Sequence, residues 1–205
     1  MKQVIIYSDS NDAGSSFLLE DLSTGTHVTT IKGNNSTIRP RTLCMTEDYI
    51  VAAEENSHLI RFWSLSQGLK KDHRVILPDK VTSMTASSCG TLVFVEIKGK
   101  IYVWKTDSGK LVVILEDEKG FQAANVLKVS PDDSLFVSGS QDGVVSFWKI
   151  STIVGTPQSA VSSIRTWKSF PEAHSLAVTD ISFGYAHFMA SVGLDSKLVV
   201  SILTV

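Results

Sequence analysis

Apolar residues in this chain come in short β-rich runs, and almost none follow the helical spacing of three and four over ten or more positions. The runs are Val4–Tyr7, Tyr49–Ala53, Val81–Thr85, Leu92–Val95, Ile101–Trp104, Leu111–Leu115, Leu135–Val137, Val144–Trp148, Val178–Phe183 and Leu198–Ile202. Polar segments rich in turn formers separate them, among them Ser23-Thr24-Gly25, Lys98-Gly99-Lys100, Asp107-Ser108-Gly109 and Gln141-Asp142-Gly143. Short strands broken by close turns predict an all-β architecture.

A repeat narrows the architecture. Trp63, Trp104 and Trp148 each close a strand, Ile-Arg-Phe-Trp, Ile-Tyr-Val-Trp or Val-Ser-Phe-Trp, at spacings of 41 and 44 residues. The same strand-then-turn pattern recurs 43 residues earlier around Glu20, and 53 residues later around Ser201, both without the tryptophan. A polar insertion, Ser151–Ser163, with no apolar pattern of its own, accounts for the longer last interval. A period of roughly 40–45 residues with four strands per unit is the period of a propeller blade. The repeats divide into approximate blades 1-36, 37-79, 80-121, 122-172 and 173-205.

The segment Val129-Ser130-Pro131-Asp132-Asp133-Ser134-Leu135 through Gly139-Ser140-Gln141-Asp142-Gly143 to Trp148 resembles a WD repeat along its length. The resemblance implies a turn aspartate six residues before the tryptophan, as Asp142 stands to Trp148, and Asp195 holds that place before Ser201. It further implies a buried network of His174, Ser191 and Asp195 inside the fifth blade, with the tryptophan end lost at Ser201. Other features are similar to WD-repeat subunits of the Rix-type complex that matures the large ribosomal subunit. These are Leu22-Ser23-Thr24-Gly25, Tyr49-Ile50-Val51-Ala52-Ala53, Ser108-Gly109-Lys110-Leu111-Val112-Val113-Ile114-Leu115, and an insertion ahead of a strand containing Trp167.

What this second resemblance implies is a nuclear, non-catalytic scaffold for precursor rRNA processing, with a generic cytoplasmic or nuclear adaptor as the alternative. The implied partners are a helical-repeat protein, a proline-rich protein and the pre-ribosome, with contact to rRNA phosphates open. Because the first repeat lacks its opening strand and the fifth stops after its third, an open arc of about four and a half blades is expected.

Composition changes this picture little. A formal net charge of −2 gives no overall attraction to nucleic acid or anionic lipid. The longest strongly apolar run, Leu111–Leu115, is too short to span a membrane as a helix, and no secretory signal pattern opens the chain. Cys44 and Cys89 lack CxxC spacing and suit buried thiols in a reducing compartment.

Candidate chemistry is sparse. His174, Ser191 and Asp195 have the residue types of a hydrolase triad, yet no nucleophile elbow surrounds Ser191, so a structural network is expected. Asp107-Ser108-Gly109-Lys110 lacks the first glycine of a phosphate loop and precedes a strand. No catalytic residue, cofactor motif or metal-ligand spacing emerges, and Trp63, Trp104 and Trp148 are expected to pack between sheets. A basic cluster, Arg61, Lys70, Lys71, Arg74 and Lys80, is placed largely in a loop of the second blade. Of these, Lys70, Lys71 and Arg74 form a candidate binding loop for acidic protein or RNA phosphate. Thr156-Pro157 in the insertion is a minimal phosphoacceptor pattern.

Overall fold

The computed structural model describes residues 4–11, 14–32, 37–46, 48–65, 72–116, 123–155, 163–184 and 188–203. Each apolar run coincides with a strand, although Val81–Thr85 joins its ladder only at Ser83 and Val144–Trp148 only at Val145. Among the described residues the strands form five separate sheets. The architecture is all-β, with blade-like sheets in succession along the chain.

Residues 1–80 form one compact unit. Its first sheet is the antiparallel meander β1 (Val4–Asn11), β2 (Gly14–Asp21) and β3 (His27–Lys32). Its second contains β4 (Ile38–Met45), β5 (Tyr49–Glu54), β6 (Leu59–Ser64) and β7 (Asp72–Ile76) in chain order. Phe17 and Leu19 of β2 bury against Ile50, Ala52 and Trp63 of the second sheet. The Phe17 and Trp63 rings meet edge to face at 4.8 Å, a favourable aromatic geometry.

Residues 81–205 form the other unit, with three sheets. The third sheet comprises β8 (Ser83–Ala86), β9 (Leu92–Ile97), β10 (Lys100–Lys105) and β11 (Leu111–Glu116). The fourth comprises β12 (Ala124–Val129), β13 (Leu135–Ser140) and β14 (Val145–Lys149), followed by the short helix α1 (Ile150–Val154). The chain then forms β15 (Ser163–Arg165), which joins the third sheet parallel to β11, before β16 (Lys168–Phe170) completes the fourth beside β14. The fifth sheet is β17 (Val178–Phe183), β18 (Phe188–Gly193) and β19 (Leu198–Ile202). Opening strands β8, β12 and β17 lie side by side from sheet to sheet.

The insertion departs from the expectation of a segment with no apolar pattern. Ile150 and Ile153 of α1 are buried in the core between the third and fourth sheets, alongside Phe94, Leu115, Phe136 and Trp148. Two isoleucines three apart are too short a signal to read as a helix, but they lie on one helical face. Residues 156–162, including Thr156-Pro157, lie outside the described residues.

Candidate functional site

The register of the ladders defines equivalent positions. On the middle strands, Ile50, Val93 and Phe136 lie opposite Trp63, Trp104 and Trp148. The three tryptophans are all buried. In the fifth sheet Met189 takes the place of those middle-strand residues, and Ser201 lies opposite it. Substitution of serine at this point leaves a pocket of about 310 Å³ between β14, β16 and the fifth sheet. Val145, Phe170, Met189, Ser191 and Ser201 contribute to its wall.

The three polar residues expected to form a network meet in the fifth sheet. His174 lies on the segment between β16 and β17, Ser191 in the middle of β18, and Asp195 in the β18–β19 turn. The imidazole Nε2 is 2.9 Å from the Ser191 hydroxyl, and Nδ1 is 3.0 Å from an Asp195 carboxylate oxygen. The amides of Ser175 and Lys197 donate to the same carboxylate at 3.0 and 3.2 Å. Burial alone would raise the Asp195 carboxyl, but the Ser175 amide, His174 and the Lys197 amide together hold it down at about 2.

Two glycines permit this closeness. A Cβ on Gly193 would stand 2.7 Å from the imidazole Nδ1. One on Gly143, at φ +87°, would meet the His174 carbonyl oxygen at 2.2 Å.

The arrangement has the hydrogen-bond order of a triad without the surroundings of one. Ser191 is buried and pairs with Ile181 on one side and Val199 on the other, so ladder bonds occupy its strand's backbone groups. Acyl transfer needs free donors converging on a developing oxyanion. What this geometry does is tie the entry loop of the fifth sheet to its middle strand and its turn.

Asp142 accepts a short hydrogen bond from the Ser140 hydroxyl, which also receives the Val144 amide at 3.0 Å, and so closes the β13–β14 turn. The basic cluster does not stay together as one loop. Arg61 is buried on β6 and ion-paired with Glu54, because a guanidinium inside a sheet needs a carboxylate to offset its desolvation. Arg74 is exposed, but on strand β7 and not in the loop before it. Lys70 and Lys71 lie outside the described residues, and Lys80 is exposed. Cys89 is also exposed and not a buried thiol, because it sits in the β8–β9 turn.

Other features were not visible in the sequence. The Asp133 carboxylate accepts the amides of Ser88 and Cys89 at 2.6 and 2.7 Å, clamping the β12–β13 turn to the β8–β9 turn. Asp133 has φ 54°, and the same turn position of the third sheet is Gly90 at φ 72°. The matched bonds Gly90 N–H to Ser87 and Asp133 N–H to Ser130 establish that equivalence. An aspartate where its sister repeat has glycine is a signal that could have found the clamp.

Glu96, fully buried on β9, accepts the Gly99 amide through Oε1. Its Oε2 has no hydrogen-bond partner among the described residues. Burial pushes this carboxyl up to about 7 against the lowering effect of the Gly99 amide.

With this geometry established, comparisons with known proteins bear on it directly. The family model described as WD domain, G-beta repeat, matches residues 110–149, from β11 through the Asp142 turn to the end of β14. This chain carries a WD repeat. Most of the chain is similar in sequence to longer proteins. It is 29% identical over 182 residues to WD repeat-containing protein 18 of Danio rerio, covering 89% of this chain and 41% of that protein. It is 28% identical over 190 residues to the pre-rRNA-processing protein IPI3 of Yarrowia lipolytica, covering 90% and 41%. A third relative, the pre-rRNA-processing protein crb3/ipi3 of Schizosaccharomyces pombe, is 27% identical over 174 residues, covering 83% and 38%. The chain therefore spans less than half the length of these relatives. The WD-repeat reading, a partial propeller and the likeness to pre-rRNA-processing WD proteins agree with what the sequence led us to expect.

Proposed function

We propose that this chain is a non-catalytic scaffold in a nuclear assembly that processes precursor rRNA and matures the large ribosomal subunit. The observation that carries the reading is similarity along 83–90% of the chain to proteins named for pre-rRNA processing. The structure supports a scaffold in kind, since its buried polar groups join turns to strands. On this reading the chain binds a helical-repeat subunit and a proline-rich subunit, and docks with them on the pre-ribosome. On it the blades are 1-36, 37-79, 80-121, 122-172 and 173-205, with β15 of the fourth segment pairing into the third sheet.

Affinity purification from nuclear extract, with partners identified by mass spectrometry, tests this. Large-subunit assembly factors and accumulation of precursor rRNA on depletion are the expected outcome. A signalling or ubiquitin-ligase set would point to a generic adaptor and overturn the reading. Within it, Lys70, Lys71 and the exposed Arg74 contact acidic protein or RNA phosphate.

A further inference from the structure

The third sheet holds one strand more than a four-stranded blade. On the outer side of β11, β15 adds itself in parallel, so that Ser163, Ile164 and Arg165 partner Ile114, Leu115 and Glu116. An outer strand offers unpaired backbone N–H and C=O groups to any extended segment beside it. Ile164 packs against the core that contains Leu115. Arg165 is the register partner of Glu116, a residue of opposite charge.

In the second sheet the equivalent strand is β7. Trp63 and Trp104 set the alignment: Ile60 and Ile101 stand three residues before them, opposite Val75 and Leu115. Arg74, Val75 and Ile76 therefore hold the positions at which Ile114, Leu115 and Glu116 receive β15. Among the described residues β7 pairs only with β6. This edge lies in mid-chain, and Leu77 directly after it is buried.

The side chains along the edge specify what fits it. Ile76 is 80% exposed, more than any other large apolar residue described. Arg74 is exposed, and its cross-strand neighbour is Arg61, whose own ion pair is with Glu54. Arg74 and Ile76 share one face of β7, and the partly buried Val75 points to the other. A carboxylate beside Arg74 relieves the like-charge neighbour, and an apolar side chain beside Ile76 removes it from water.

We propose that the outer edge of β7 binds an extended segment of a protein partner, paired parallel to it as β15 is to β11. The segment carries Asp or Glu opposite Arg74, a branched apolar residue opposite Val75, and a second apolar residue opposite Ile76. Main-chain bonds supply the attachment and the alternating side chains the specificity. An acidic protein at Arg74 is one arm of the binding reading given above, so this mode rests on that arm, though not on the rRNA-processing role.

The test uses the whole chain and a short fluorescein-labelled peptide with Asp-Ile-Ile at its centre, flanked by serine and threonine. Saturable binding by anisotropy below about 1 mM is expected, with slowed hydrogen exchange of the β7 amides. Ile76→Lys, checked for an unchanged melting temperature, should weaken binding about tenfold. Arg74→Glu should weaken it as well, and exchanging Asp for Lys in the peptide should restore it. N-methylation of the central triplet should abolish binding, because strand addition runs through main-chain hydrogen bonds. No saturable binding, or binding indifferent to Ile76→Lys or to N-methylation, would overturn strand addition at β7. Failure of the charge exchange would overturn the acidic requirement. Dimerisation abolished by Ile76→Lys would give the edge to a second copy of the chain. Oligouridylate binding lost in Arg74→Glu, without peptide binding, would give it to RNA, and either outcome overturns the protein partner. Recovery of large-subunit assembly factors by affinity purification does not depend on this peptide, so the two readings fail separately.

Discussion

The fourth and fifth sheets apply one repeat pattern in two ways. In the fourth, the third strand carries Trp148, fully buried against Phe136 at 5.4 Å and joined by Ile150 and Ile153 of α1. In the fifth, the equivalent strand carries Ser201, and its alternate residues Leu198, Val200 and Ile202 are 59–68% exposed. What the fifth sheet has instead is the His174–Ser191–Asp195 network at its turn. Both sheets share apolar area, Val178, Ile181 and Met189 packing on Val137 and Phe147, but where the fourth adds a ring the fifth adds directional polar bonds to a buried hydroxyl. Dispersion and hydrophobic burial tolerate changes of pH, and a network built on a carboxylate does not.

The largest effect should come from removing the aromatic anchor. Trp148→Ala is expected to cost about 3–5 kcal/mol in denaturant unfolding, as for other buried large-to-small aromatic changes. A loss under about 1 kcal/mol would mean that the fourth sheet does not depend on its ring.

Next comes the polar anchor. His174→Ala leaves the buried Ser191 hydroxyl without its partner, and about 1–3 kcal/mol should be lost. Equal losses from the two variants would erase the contrast between the sheets.

The network should also show itself in pH. Asp195 titrates at about 2 in the folded chain against 3.8 ordinarily. The unfolded chain therefore binds more protons between these values, and stability from this group is complete above about 4 and lost as pH falls toward 2. Asp195→Asn should flatten that part of the acid-unfolding profile.

Glu96 gives the opposite sign, because its carboxyl stands at about 7 in the fold against 4.5. Here the folded chain binds more protons, so stability declines as pH rises from about 4.5 through 7. Glu96→Gln should melt higher than the unmodified chain at pH 8 and show no such decline. A parallel pH profile in both would remove Glu96 as the cause.

The smallest expected effect concerns the second sheet. On the proposed role, replacing Lys70, Lys71 and Arg74 together by Gln should weaken binding to pre-ribosomal particles and flatten its dependence on salt. An unchanged salt slope would show these charges to be solvated only.

Much of the fold was legible because strand and turn formation are local. Alternating apolar residues and turn formers act within a few positions, and a repeat prints them several times over. The His174, Ser191 and Asp195 constellation could be read from a family pattern, and the structure brings the three side chains within hydrogen-bond reach. Arg61 was read on its strand but grouped with a basic cluster, because only the β5–β6 pairing brings Glu54 to it. Nor could the insertion be read, since α1 is five residues long and its stability comes from Ile150 and Ile153 meeting a core supplied by other segments.

The sequence by itself determined the strands, the period and the loss of tryptophan at Ser201, all properties of neighbouring residues. Only the tertiary structure decided what that loss means. A missing side chain becomes a pocket when packed neighbours cannot collapse into its place, and Val145, Phe170 and Met189 come from three different strands of two sheets. The same holds for the buried charges. Whether Glu96 or Asp195 is held ionised or neutral depends on desolvation and on donors brought by the fold, which no local pattern specifies.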